Sequence, residues 1–313
     1  MEKLGTACQL RLVVLDIDGT LTDPAGDITP PVQAAVTALL QRDILVVVAT
    51  GRNLAEMDQV WDAWPQLTRI AYSNGAAITG MGQPLDGYFQ GIPAAVARKV
   101  YQAAMAADTM PEIYANGKIY VEASRWEKRV YYRAQYLEET TPGSRTPIPS
   151  LEAILSQGDP RIEKVNVFFP CDDHRLSFEA ANQGIGLRTS HTIQGGLEFN
   201  NPNATKAEAV AHICKALGIP AQAVAALGDS LTDKELLQWA GCSFAMGNAL
   251  PDVQACAKQV APPPTAKTGP YGPSGNRFCP AAPSKTSADL PRQIKNRRPV
   301  LLIAQPLGSC FLR

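Results

Sequence analysis

An apolar run, Leu12-Val13-Val14-Leu15, delivers two carboxylates, Asp16 and Asp18, to the segment just beyond it. In a parallel sheet the carboxyl end of a strand is where ligands bind. Side chains at i and i+2 share one face if the strand continues. Like charges so close resist joint ionisation unless a cation or a proton sits between them. The pair is therefore suited to holding a cation or a shared proton, the alternative being a polar strand end whose Asp caps the next turn.

Three further fragments fall where they could join that pair. Ile44-Leu45-Val46-Val47-Val48-Ala49 reads as a buried strand ending in Thr50-Gly51-Arg52-Asn53, followed by a helix-like stretch over 54–64. Val224-Ala225-Ala226-Leu227 is another, ending in Gly228-Asp229-Ser230-Leu231-Thr232-Asp233. Between them Lys206 opens an amphipathic segment, 207–217, which closes at Gly218. A cation in a first helical turn opposes the macrodipole, so Lys206 is poorly placed for stability and well placed to meet an anion.

With these four motifs in this order, the chain resembles the haloacid dehalogenase superfamily of phosphotransferases, in particular its Cof-type phosphatases, over about residues 10–263. The resemblance implies that Asp16 is a nucleophile forming an aspartyl-phosphate and that Asp18 is the general acid and base. It implies that Thr50, Gly51, Arg52 and Asn74 (from Ser73-Asn74-Gly75-Ala76) meet the phosphate or the substrate. Lys206 would neutralise phosphoryl charge. Asp16, the Asp18 carbonyl and Asp229 would ligate Mg²⁺, with Asp233 and Ser230 supporting from behind. One position departs from the branch: its fourth motif often reads Gly-Asp-x-x-Asn-Asp, and here Thr232 stands where the asparagine would be. An oxygen-only donor set suits Mg²⁺ better than zinc.

The elements that must position these residues read as an α/β protein: a doubly wound parallel-sheet core with an inserted α+β cap domain. Expected core strands are 10–15, 44–49, 70–73, 224–228 and 243–246, and Thr29-Pro30-Pro31 opens a helix over 34–42. The catalytic fragments divide the core into 1–83 and 188–261. Residues 84–187 form the cap. It contains a hairpin signal at Asn116-Gly117, helical stretches at 93–107 and 151–155, and a strand at 164–169. The cap is expected to choose the substrate, since the core motifs handle only phosphate. Trp126, Tyr131, Tyr132, Tyr136, Arg125, Arg129 and Arg133 read as a packed amphipathic stripe with solvated cations rather than a substrate-reading face. His174, His191 and His212 lie outside every motif.

The chain has 313 residues, 45% of them hydrophobic, and its 29 basic and 29 acidic residues cancel. This fits about two domains and favours neither nucleic acid nor an anionic membrane as partner. Seven scattered cysteines without a Cys-x-x-Cys pair, and a first segment without a secretory core, lead to an expectation of cytoplasmic location. From Pro262 to Arg313 periodicity disappears into Pro-rich sequence; a shift of reading frame near Pro263 is the favoured explanation, and a natural disordered, Pro-rich tail is the alternative. The expected activity is Mg²⁺-dependent hydrolysis of a small phosphomonoester, with sugar phosphates leading by resemblance. The alternatives are a phosphosugar mutase with the same intermediate and a damaged, non-catalytic phosphometabolite binder.

Overall fold

A computed structural model describes residues 9–42, 44–79, 87–192 and 195–261. Among the described residues thirteen strands form two sheets. In chain order they are β1 (Leu12–Leu15), β2 (Leu45–Ala49), β3 (Ile70–Tyr72), β4 (Ala77–Thr79), β5 (Met110–Ala115), β6 (Lys118–Glu122), β7 (Arg145–Ile148), β8 (Ile162–Phe168), β9 (Arg188–His191), β10 (Leu197–Asn200), β11 (Val224–Gly228), β12 (Cys242–Ala245) and β13 (Gln259–Val260). The larger sheet runs β13-β12-β11-β1-β2-β3-β4, parallel throughout except for the β3–β4 pair.

Burial on both faces explains why β1, β2 and β11 read as unbroken apolar runs. Val13 and Leu15 pack with the helix Pro30–Leu40 and with Val60 and Trp64 on one side. Leu12 and Val14 pack with the helix Lys206–Ala216 and with Leu236 and Leu237 on the other. The expected core strands hold to within about two residues, while the first helix runs Pro30–Leu40 and so begins at the prolines, ahead of the expected 34–42. Ser73 is the exception in kind, because it starts a tight turn, Ser73–Gly75, instead of closing β3. The stretch expected as one helix over 54–64 is a single 3₁₀ turn, Leu54–Glu56, and a short helix, Asp58–Ala63.

The smaller sheet runs β7-β6-β5-β8-β10-β9. Asn116 and Gly117 both take positive φ, 54° and 72°, as a type I′ hairpin requires. Ile113, Val165, Val167, Leu197 and Phe199 point to one side and pack under the helix Ala94–Ala106 and Phe178. The opposite side is polar and nonetheless buried over its centre, at Glu112, Tyr114, Lys164, Asn166 and Asn200. Register places Glu112, Asn166, Glu198 and Ser190 in one row across four strands, with Tyr114, Lys164, Asn200 and Arg188 in the next. This face lies against the catalytic core.

That observation moves a boundary. Residues 188–200, assigned to the core from sequence, form β9 and β10 and are hydrogen-bonded into the smaller sheet. The return to the core therefore comes after Asn200. The tail beyond 261, and with it the frameshift reading, lies outside the described residues.

The aromatic and basic stripe is not a single helix: a short helix, Ala123–Trp126, is followed by turns and a second, Tyr136–Thr140. The expected packing is found in part, and the expected solvated cations are instead paired. Tyr132 is buried in a small apolar cluster with Met110, Val121 and Phe168. Arg125 pairs with Asp108 at 2.7 Å, Arg133 pairs with Asp172 at 2.9 Å, and Arg129 lies over the Trp126 ring. Among the described residues no helix is long and apolar enough to cross a membrane.

Candidate active site

Asp16 follows β1 directly, and its backbone N–H donates to the Leu227 carbonyl of β11 at 3.1 Å. The side chain is therefore fixed between the two central strands. Lys206, the first residue of its helix, is 2% exposed. The helix is capped by Thr205, whose hydroxyl accepts from the Glu208 N–H, and this turns the Lys206 side chain inward. Its ammonium donates to Asp16 Oδ1 and to Asp233 Oδ1, both at 2.8 Å. Burial alone lowers this lysine's hold on its proton, but the two carboxylates outweigh it and hold the ammonium charged above the ordinary lysine range. The misplaced cation of the sequence has found its anions.

Asp229 completes the cluster. Its carboxylate accepts from the Asn248 amide at 2.8 Å and the Thr20 hydroxyl at 3.3 Å. Oxygen atoms of Asp16, Asp229 and Asp233 all lie within 4.8 Å of one another, a group that could hold a metal ion. Burial, followed by repulsion from Asp233, pushes Asp229 up to about 7. The same causes, in the same order, carry Asp16 well above the carboxylate range despite Lys206. Three carboxylates thus face one ammonium, and the deficit of positive charge suits a dication. Asp233 itself is engaged on both oxygens, since its Oδ2 accepts from the Asp229 and Ser230 N–H groups and the Ser230 hydroxyl. It is a brace for the turn after β11. Thr232 meets the Ser230 hydroxyl at 2.8 Å.

Asp18 and Arg52 face each other as a bidentate pair, at 3.0 Å and 2.7 Å. Thr50 is fully buried, and its hydroxyl accepts from the Arg52 N–H at 3.0 Å. Gly51 allows Asn74 to approach: a Cβ there would sit 2.9 Å from Asn74 Oδ1. Asn74 takes φ 59° in the turn after β3, and its amide donates to Glu198 and Asn200 of the smaller sheet, each at 3.0 Å. Its side chain is thus directed at cap residues. A narrow cleft beside these groups is lined by Asn74, Arg188, Ser190, Asn200, Thr205 and Thr232.

The structure brings Asp16, Lys206, Asp229, Asp233 and Ser230 into one connected group, while Thr50, Gly51, Arg52 and Asn74 form a second around the ends of β2 and β3. Asp18 is joined to the latter by Arg52. Sequence reasoning missed Asn248 and Thr20, which hold Asp229. Asn248 left a faint signal in Gly247-Asn248 just past the end of β12, a turn pair at the same sheet edge as the other motifs. The three histidines stay apart: His191 is 3.3 Å from Glu179 and His212 packs on Tyr88.

The profile of the haloacid dehalogenase-like hydrolases matches residues 13–269. The chain belongs to that family. Among curated relatives, the phosphatase YwpJ of Bacillus subtilis is 24% identical over 271 residues, covering 80% of this chain and 94% of its own. An HMP-PP phosphatase of Shigella flexneri is 27% identical over 249 residues, covering 78% and 87%. Among solved structures, a haloacid dehalogenase-like hydrolase from Bacteroides thetaiotaomicron superposes with a TM-score of 0.70 at 20% identity, covering 81% of this chain and 94% of its own. The subclass IIB sugar phosphatase BT4131 superposes with a TM-score of 0.66 at 18% identity, covering 80% and 93%.

Proposed function

We propose that the chain is a Mg²⁺-dependent phosphomonoester hydrolase that acts on a small phosphorylated metabolite, with sugar phosphates as the leading class, through an aspartyl-phosphate at Asp16. The observation that carries this reading is the buried Asp16–Lys206–Asp233 chain, with Asp229 alongside it and Asp18 two residues on. The names of relatives support the substrate class only in outline, since they include a sugar phosphatase and HMP-PP phosphatases.

In the first step an Asp16 oxygen bonds to phosphorus as the ester P–O bond breaks, and the departing oxygen takes a proton from Asp18. In the second, water gives a proton to the Asp18 carboxylate and its oxygen bonds to phosphorus. The acyl-phosphate P–O bond then breaks, restoring Asp16 and releasing inorganic phosphate. Arg52 grips both Asp18 oxygens before substrate enters, so its exchange onto a phosphoryl oxygen frees Asp18 for this work. The Thr50 hydroxyl and Lys206 hold the remaining phosphoryl oxygens.

Asp16, the Asp18 carbonyl and Asp229 would hold Mg²⁺, which supplies charge neutralisation on the phosphoryl oxygens. The donor set fits, being all oxygen, short of positive charge, and buried at Asp16 with Asp229 half-buried beside it. A pH dependence follows. Asp229 is pushed up to about 7 by burial and by Asp233, so at lower pH the cation must displace a proton. The rise in Tm produced by a fixed Mg²⁺ concentration is expected to grow from about pH 6 to about pH 8. Without metal the sign reverses. A folded-state value above the unfolded one favours folding below the ordinary carboxylate range, and that contribution is lost as pH rises through about 7. Equal Mg²⁺ shifts at both pH values would count against a metal bound through Asp229.

The function is tested by phosphate release from a panel of phosphorylated sugars and small acids, with Mg²⁺ and with chelator. Release that requires Mg²⁺ supports the hydrolase. An isomerised phosphosugar without free phosphate points to the mutase, and binding without turnover points to the damaged binder.

A further inference from the structure

The turn after β2 is held by the smaller sheet as well as by the core. Lys164 on β8 and Glu198 on β10 are diagonal neighbours on the polar face and form an ion pair at 2.8 Å. The Lys164 ammonium also donates to the Gly51 carbonyl at 2.9 Å. Glu198 accepts from the Asn74 amide at 3.0 Å and the Ser190 hydroxyl at 3.3 Å. Asn200 accepts from Asn74 and donates to the Ser73 carbonyl at 3.2 Å. The two core turns are themselves joined, with the Asn74 N–H donating to the Thr50 carbonyl at 3.0 Å and the Ser73 N–H to the Arg52 carbonyl at 2.8 Å.

The consequence runs through one peptide plane. In a trans peptide the carbonyl and the N–H point in opposite directions. Holding the Gly51 carbonyl toward the cap therefore holds the Arg52 N–H toward the core, where it donates to Thr50 Oγ1 at 3.0 Å. A hydroxyl oxygen that accepts this bond keeps its own hydrogen free to donate to another acceptor. Lys164 is 2% exposed. A buried ion pair is seldom a better stabiliser than apolar side chains of the same volume, so packing does not account for a lysine aimed at a main-chain carbonyl of the second motif.

We propose that Lys164 and Glu198 are positioning residues for phosphoryl transfer, a pair on the smaller sheet that orients the Gly51–Arg52 peptide, the Thr50 hydroxyl and the Asn74 amide. This rests on the hydrolase reading given above. The pair acts on the phosphoryl end of the substrate, so its effect does not depend on the leaving group.

Lys164→Met and Glu198→Gln would be assayed with p-nitrophenyl phosphate, acetyl phosphate and the best sugar phosphate of the panel. For Lys164→Met the expected result is a fall in kcat of roughly 10–100-fold on all three, with KM nearly unchanged, as for misplaced catalytic groups. Glu198→Gln keeps the shape and the Asn74 contact, and a smaller fall of the same pattern is expected. It also serves if Lys164→Met does not fold. A lower Tm with unchanged kcat would reduce the pair to a structural role, and a loss confined to KM for the sugar phosphate would make it a substrate reader. Either result overturns the proposal. An inactive wild-type protein would instead overturn the hydrolase reading on which it rests.

Discussion

Asp16→Asn is expected to remove phosphate release by about 10⁴-fold or more, the scale seen when a nucleophile is deleted, while the folded protein survives. The amide keeps the shape of the carboxylate and can still accept from Lys206, but it cannot form an acyl phosphate. The stability arm runs the other way. Asp16 is buried beside Asp233 and Asp229, and burial followed by these charges holds its carboxyl well above the usual range. Neutralising it in the metal-free protein removes a repelled charge, so Tm without Mg²⁺ should stay level or rise, most visibly above about pH 7, where the neighbouring Asp229 also ionises. The Mg²⁺-induced rise in Tm should shrink. Thermal melts with and without Mg²⁺, beside the phosphate assay, check all three arms. Residual turnover near the wild-type rate would remove Asp16 from the mechanism.

Lys206→Met has the opposite signature. It leaves Asp16 and Asp233 buried with no cation, although both bonded to Lys206 at 2.8 Å. Removing one partner of a buried ion pair costs about 3–5 kcal/mol, and here a single ammonium serves two carboxylates. The variant is expected to unfold at markedly lower denaturant with unchanged m, and to lose turnover in any fraction that remains folded. Mg²⁺ should recover part of the stability by supplying positive charge to Asp16. A double variant, Lys206→Met with Asp16→Asn, should be more stable than Lys206→Met alone, because one stranded charge is gone. An unchanged midpoint in Lys206→Met would show that the lysine does not hold the two carboxylates.

The catalytic half of this architecture was legible because its strands are buried on both faces. Leu12–Leu15, Leu45–Ala49 and Val224–Gly228 have almost no polar residues until the point where chemistry begins, so each motif is announced by the end of an apolar run. Lys206 was legible as a misfit, a cation where the helix dipole disfavours one. In the smaller sheet the strand over 164–169 was legible, and the burial of its polar face was not. Lys164-Val165-Asn166-Val167 alternates like a strand with one wet face, but that polar face is buried against the catalytic core. Alternation reports which residues share a side and is silent about what covers it. Arg188-Thr189-Ser190-His191 carries no apolar signal at all, so β9 could not be read, and the boundary was drawn too early. Asn248 and Thr20 escaped because each makes its contact with Asp229 across about 20 residues or more of chain.

The most direct test of the central claim is to look for the phosphoryl group on the protein. Asp18→Asn would be mixed with p-nitrophenyl phosphate and Mg²⁺, quenched in acid, and mapped by peptide mass. The p-nitrophenolate leaves without an acid, while water lacks its base, so the intermediate should accumulate. The account predicts one phosphoryl group on the peptide that contains Asp16, absent from the variant that also carries Asp16→Asn. Phosphate production with Asp16 unlabelled, or a label on another residue, would contradict it.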